Sequence, residues 1–78
     1  MAMNKSIFEE NWKIIRDEAT ARWNLMASFD LLKVEKADDK YDRFVTMLQV
    51  KYGLTRQQAR EEVQKFWVEC EVKNRKKV

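Results

Sequence analysis

Apolar residues recur at helical spacing along almost the whole chain, and nowhere alternate as a strand requires. Phe8, Trp12, Ile15, Ala19, Trp23 and Met26 follow one another at steps of four, three, four, four and three, which is one face of an amphipathic helix. Glu10, Lys13, Arg16, Asp17 and Glu18 fall mostly off that stripe. Ser6 and Glu9 have capping-box spacing and place the start of this helix at Ser6. The period lapses between Asn24 and Ser28, and Ser28-Phe29-Asp30-Leu31-Leu32 predicts a short helix of about two turns with Asp30 near its positive end. A second clear stripe, Tyr41, Phe44, Val45, Leu48 and Tyr52, predicts a helix from about Asp39 to Tyr52 with Asp38 as its N-cap. A last helix from Arg56 to near Asn74 turns Ala59, Val63, Phe66, Trp67 and Cys70 inward.

The corner between these last two helices is the sharpest local signal. The 78 residues include one glycine, Gly53, and no proline. Tyr52-Gly53-Leu54-Thr55 reads as a left-handed stop followed at once by a new capping box, Thr55 with Gln58. Leu54 is placed to fold back onto Leu48.

The expected fold is therefore all-α: about four helices, two long and flanking, one short and one medium, in a single domain over 1–78. The structured part spans about 6–73, followed by a basic tail over 74–78. A chain of this length has one thin core and buries only about 60% of its unfolded surface. Core positions are Phe8, Trp12, Ile15, Trp23, Phe44, Leu48, Val63, Phe66 and Trp67. Four apolar residues stand apart from that core. Val68 and Val72 point almost opposite to it, and Ile7 and Ile14 lie on another side of the first helix, where a second element or a partner would cover them.

Composition removes several classes of chemistry. With no histidine and one cysteine, Cys70, the common zinc sets and an internal disulfide are out of reach, and a reduced, cytoplasmic setting is expected. No apolar run reaches the length of a membrane span. The net charge of +3 is concentrated at the end: Lys73, Arg75, Lys76 and Lys77 account for four of the 16 basic residues, leaving 12 against 13 acidic ones. Such a tail is a weak signal for an acidic partner, nucleic acid or an anionic surface.

Three anchors carry a resemblance to a known family. Asn11-Trp12-Lys13, then Trp23 eleven residues after Trp12, then Leu48-Gln49-Val50-Lys51-Tyr52-Gly53 with Ala59, Val63 and Trp67 behind it, resemble the CsbD-like family of small bacterial stress proteins. The likeness spans roughly Glu10 to Trp67 and marks a divergent member. Asp17, Asn24, Asp39 and Thr46 stand where the family usually has glycine, and its acidic run before a leucine is reduced to Ala27-Ser28-Phe29-Asp30-Leu31. The resemblance implies two helical hairpins packed roughly at right angles, as in SAM domains. It also implies expression under general or osmotic stress, and brings no catalytic, metal or cofactor-binding residue with it.

Sharper readings of single features compete with these. Gly-Leu-Thr-Arg-Gln-Gln could be the turn of a DNA-binding helix-turn-helix with Thr55 to Phe66 as recognition helix. Gln49 and Glu62 occupy positions where such motifs need a small and an apolar residue, and Glu61 and Glu62 would repel phosphate. Trp12, Trp23 and Trp67 could stack bases, but their spacing places them in the core. The pairs Glu9/Glu10, Asp38/Asp39 and Glu61/Glu62 could suggest acid-base chemistry; adjacent helical residues diverge by about 100° and do not converge on a substrate. The expectation is a non-enzymatic protein without cofactor or metal, monomeric or weakly self-associating. An unidentified protein partner would sit on Val68 and Val72, with weak nucleic-acid binding through the tail or a degenerate Gly53 turn as the alternative.

Overall fold

A computed structural model describes residues 3–75, with side chains described for residues 3–72. Five helices and no strand occur among them: α1 Lys5–Glu10, α2 Trp12–Arg22, α3 Ser28–Glu35, α4 Lys40–Tyr52 and α5 Arg56–Arg75. The additional helix arises because the expected first helix is interrupted at Asn11, whose backbone leaves helical geometry at φ −110° and ψ 18°. The Asn11 side-chain amide donates to the Ile7 carbonyl at 2.9 Å, an oxygen that the Asn11 backbone amide also reaches, at 3.1 Å. A short polar side chain that bonds its own preceding turn bends a helix there.

The helix starts differ from expectation in the same local way. Asn4, not Ser6, caps α1, its side chain accepting the Ile7 amide at 2.9 Å. Ile7 packs against the core and does not stay on an outer side for a partner to cover. Asp39, not Asp38, caps α4 and accepts the Asp42 amide at 3.0 Å. At α3 the N-cap is Ala27, and the Asp30 carboxylate accepts the Ala27 amide at 3.0 Å. The α2 helix ends at Arg22 with Trp23 extended, so Trp23 and Met26 reach the core from the turn and not from the helix.

Helices α4 and α5 form one hairpin, and α4 also packs against α1 and α3 while α5 packs against α2. The core at their junction is largely aromatic. Phe44 lies within ring contact of Phe8 at 5.3 Å, Trp12 at 6.4 Å and Trp23 at 5.3 Å, and Trp23 continues to Phe66 at 4.8 Å. Phe8, Trp12, Ile15, Trp23, Phe44, Leu48, Val63, Phe66 and Trp67 are all buried, together with Met3, Ala19, Met26, Leu31, Val34, Val45, Ala59 and Cys70. Among the described residues, the Trp67 indole nitrogen is buried in this core without a hydrogen-bond partner.

Gly53 takes the left-handed conformation at φ 65°, ψ 33°. The new helix begins at once: the Thr55 hydroxyl accepts the Gln58 amide at 3.1 Å and the Gln58 side chain accepts the Thr55 amide at 3.0 Å. Leu54 packs against the core cluster that contains Leu48. A Cβ at position 53 would meet nothing within 4 Å, so the requirement for glycine is conformational and not steric crowding. Gly53→Ala is expected to destabilise by about 1 kcal/mol, and Gly53→Asn by less, because asparagine tolerates the left-handed region better. Urea melts of the two variants check this; an unchanged midpoint for Gly53→Ala would mean that the corner relaxes into another turn.

Candidate functional site

The charged side chains at the helix junctions are engaged in holding elements together. Arg56 reaches back across the Gly53 corner, donating to Asp42, to Gln49 at 3.3 Å and to Thr46 at 3.5 Å, all on α4. This ties Arg56, the first residue of α5 and part of the would-be recognition helix, to the preceding helix. Arg22 at the end of α2 bridges to Glu62 at 3.3 Å and Glu69 at 3.2 Å on α5. Lys5 and Asp39 lie 4.0 Å apart and join the starts of α1 and α4. The Tyr52 hydroxyl accepts the Leu25 amide at 3.0 Å, fixing the α2–α3 turn against the end of α4.

Two carboxylates on α3 are shifted by their surroundings. Asp30 is the buried charged residue of the described core, 4% exposed, and meets the Lys51 ammonium at 3.0 Å. Burial pushes its carboxyl upward, but the Lys51 hydrogen bond, the Ala27 amide and the Lys51 and Lys33 charges outweigh that, and its pKa lies below the ordinary value. Glu35 accepts the Trp12 indole N–H and the Arg16 guanidinium on the same oxygen, each at 3.0 Å. The indole bond holds its pKa down; partial burial opposes this, and the Arg16 bond and charge and the Lys40 charge add to the lowering. Both groups stay ionised near neutrality and act as structural anchors between helices.

The other candidates fall into place around this frame. Glu9 and Glu10 lie in α1, Asp38 is exposed beside the capping Asp39, and Glu61 and Glu62 are on α5 with Glu62 turned to Arg22. No group of three metal-ligating side chains converges among the described residues. Cys70 is buried and lines a hollow of about 220 Å³ with Glu18, Ala21, Arg22, Phe66 and Glu69. A second hollow, of about 390 Å³, runs between α2 and α3 and is lined by Arg16, Asp17, Thr20, Ser28, Leu31 and Leu32. No helix among the described residues is long and apolar enough to cross a membrane.

Several apolar side chains also stay outside the core among the described residues. Val68 and Val72 are 44% and 47% exposed on the side of α5 away from its buried stripe, and Ile14 on α2 is 36% exposed. Ile7 does not join them, since it packs against the core. Two further exposed groups went unmarked in the sequence: Phe29 and Leu32 on α3, with Leu25 in the preceding turn, and Val50 on α4. The spacing of Phe29 and Leu32 was the available signal, because residues three apart share a helix face. The side chains of the basic tail, Lys73, Arg75, Lys76 and Lys77, lie outside the described residues.

No protein-family model matches the chain, and no solved structure matches it. Sequence comparison does find relatives. UPF0337 proteins of Bordetella pertussis, Bordetella parapertussis and Bordetella bronchiseptica are each 31% identical to it over 65 residues, covering 83% of this chain and 94% of theirs. That extent of match, at this identity and over nearly the whole of each relative, means that the chain belongs to the UPF0337 family, the CsbD-like proteins.

Proposed function

We propose that this protein is a non-enzymatic interaction module that acts under general or osmotic stress. The observation that carries the reading is the set of outward apolar side chains, above all Val68 and Val72, which are nearly half exposed on a helix whose other face already fills the core. Spaced four apart, the two valines share one helix face and form a small outward apolar strip that a partner would cover. The junction charges support the same view, because Arg56, Arg22, Asp30 and Glu35 are occupied in tying helices together. The stress setting is supported by membership of the CsbD-like proteins. The arrangement is further read as two helical hairpins crossing near right angles, as in SAM domains.

The test is crosslinking in living cells before and after an osmotic upshift, with the native chain and with Val68→Glu/Val72→Glu. The protein and its crosslinked complexes should rise on upshift, and the double variant should lose the complexes while its thermal melt stays within about 0.5 kcal/mol of native. No rise in abundance removes the stress reading. Complexes that survive the double variant remove the Val68/Val72 face, and a collapsed melt reassigns both valines to the fold.

A further inference from the structure

The outer face of α3 combines exposed apolar bulk with positive charge in a way that its sequence does not suggest. Over Ser28–Glu35 the formal charges of Asp30, Lys33 and Glu35 give a slightly acidic helix. The tertiary structure pairs both acids with residues of other helices, away from the outer face of α3. Asp30 is buried on Lys51, and Glu35 is held by Trp12 and Arg16 on the side facing α2. At about 100° per residue, Leu32, Lys36, Phe29 and Lys33 then fall within one arc of about 100° on the opposite side. All four are exposed, Phe29 by 59% and Leu32 by 50%. The Lys33 ammonium lies 5.5 Å from the centre of the Phe29 ring, and Leu25, 53% exposed, sits in the turn that leads into the helix.

We infer that this face docks peripherally on an anionic phospholipid bilayer, with Phe29 and Leu32 entering the headgroup boundary and Lys33 and Lys36 on the lipid phosphates. Three considerations select this occupant. The two lysines flank the apolar pair and complement a negative surface. A second copy of the chain facing the same patch would bring lysines against lysines. A peptide helix would need a deep apolar seat, whereas Phe29 is 59% and Leu32 50% exposed, and the neighbouring hollow that Leu31 and Leu32 edge also carries Arg16, Asp17, Thr20 and Ser28. The site is separate from the Val68/Val72 face on α5.

Co-sedimentation of the full chain with phosphatidylcholine vesicles, with and without about one-third phosphatidylglycerol, tests the inference at low ionic strength, where exposed charges are least screened. Binding is expected only to the phosphatidylglycerol vesicles. Each lysine near such a surface contributes about a factor of five, so Lys33→Gln/Lys36→Gln should weaken binding about 25-fold. Phe29→Ser/Leu32→Ser should also weaken it at least tenfold, with native circular dichroism melts for both variants because all four side chains are exposed. Absence of binding to the anionic vesicles overturns the proposal. So does binding that survives both α3 variants but is lost in Lys76→Gln/Lys77→Gln, which would place the contact in the tail. Saturable binding of an acidic amphipathic peptide to this face, with no vesicle binding, would overturn it in favour of a protein ligand.

Discussion

Phe44→Ala is expected to leave about half of the molecules, or more, unfolded at room temperature. Phe44 is fully buried and its ring meets those of Phe8, Trp12 and Trp23, so it joins α4 to α1, to α2 and to the turn after α2. Removing a buried phenylalanine costs about 3–5 kcal/mol, from lost burial and from the cavity left behind. A single small domain of this size holds about 3–5 kcal/mol in total, so the loss matches the whole margin. The cavity cannot close easily, because the three surrounding rings come from α1, from α2 and from the turn after α2, and the Trp12 ring is held further by its bond to Glu35. Phe44→Leu retains most of the volume and should cost about 1–2 kcal/mol. Urea melts followed by circular dichroism decide the matter. A folded Phe44→Ala variant within about 1 kcal/mol of native would show that the rings repack and that the fold does not depend on the aromatic junction.

Asp30→Ala is expected to destabilise by about 2 kcal/mol near neutral pH. The substitution removes the acceptor for the Ala27 amide at the start of α3 and the buried partner of Lys51. The first loss is that of a helix-capping bond, about 1 kcal/mol, and the second that of a charged hydrogen bond whose ammonium is 28% exposed and can rehydrate, about 1 kcal/mol more. The effect depends on pH in a defined direction. The folded-state pKa values of Asp30 and Glu35 are lowered, so the unfolded chain takes up protons first as pH falls. Their stabilisation is complete above the unfolded carboxylate range, near pH 4, and is lost as pH drops through the lower folded values. Native protein should therefore weaken below about pH 4, and the gap between native and Asp30→Ala should narrow there. Denaturant melts at neutral pH and near pH 2 to 3 provide the comparison; an equal gap at both would mean that the carboxylate's charge contributes nothing to the fold.

Helices, their inward faces and the Gly53 corner were legible because each depends on residues close in sequence. A stripe such as Phe44, Val45, Leu48 needs only the helical period, and Thr55 with Gln58 needs only a separation of three. The misses were of two kinds. Choices between nearby cappers, Asn4 over Ser6 and Asp39 over Asp38, are separated locally by little energy, and the packing of Met3, Ile7 and Tyr41 accompanies the observed starts. The break at Asn11 is likewise a competition between side chain and backbone that the periodic stripe runs straight through.

Among surface features, Val68 and Val72 were visible as misfits because they oppose a well-marked buried face. Phe29 and Leu32 were not, since a short helix containing Leu31 and Val34 as well offers apolar residues on nearly every side. Composition likewise suggested a basic tail on a neutral body. Only the fold shows that Asp30 and Glu35 are drawn into pairs with Lys51 and Arg16, which leaves Lys33 and Lys36 beside exposed Phe29 and Leu32.

The residues alone thus settled the all-helical class, the inward stripes and the left-handed corner, because propensity, period and capping act over three or four positions. The tertiary structure decided which charges cancel and which apolar side chains stay outside. Those outcomes depend on pairings across 19 to 47 positions, such as Arg16 with Glu35 and Arg22 with Glu69, and no local energy term reaches that far.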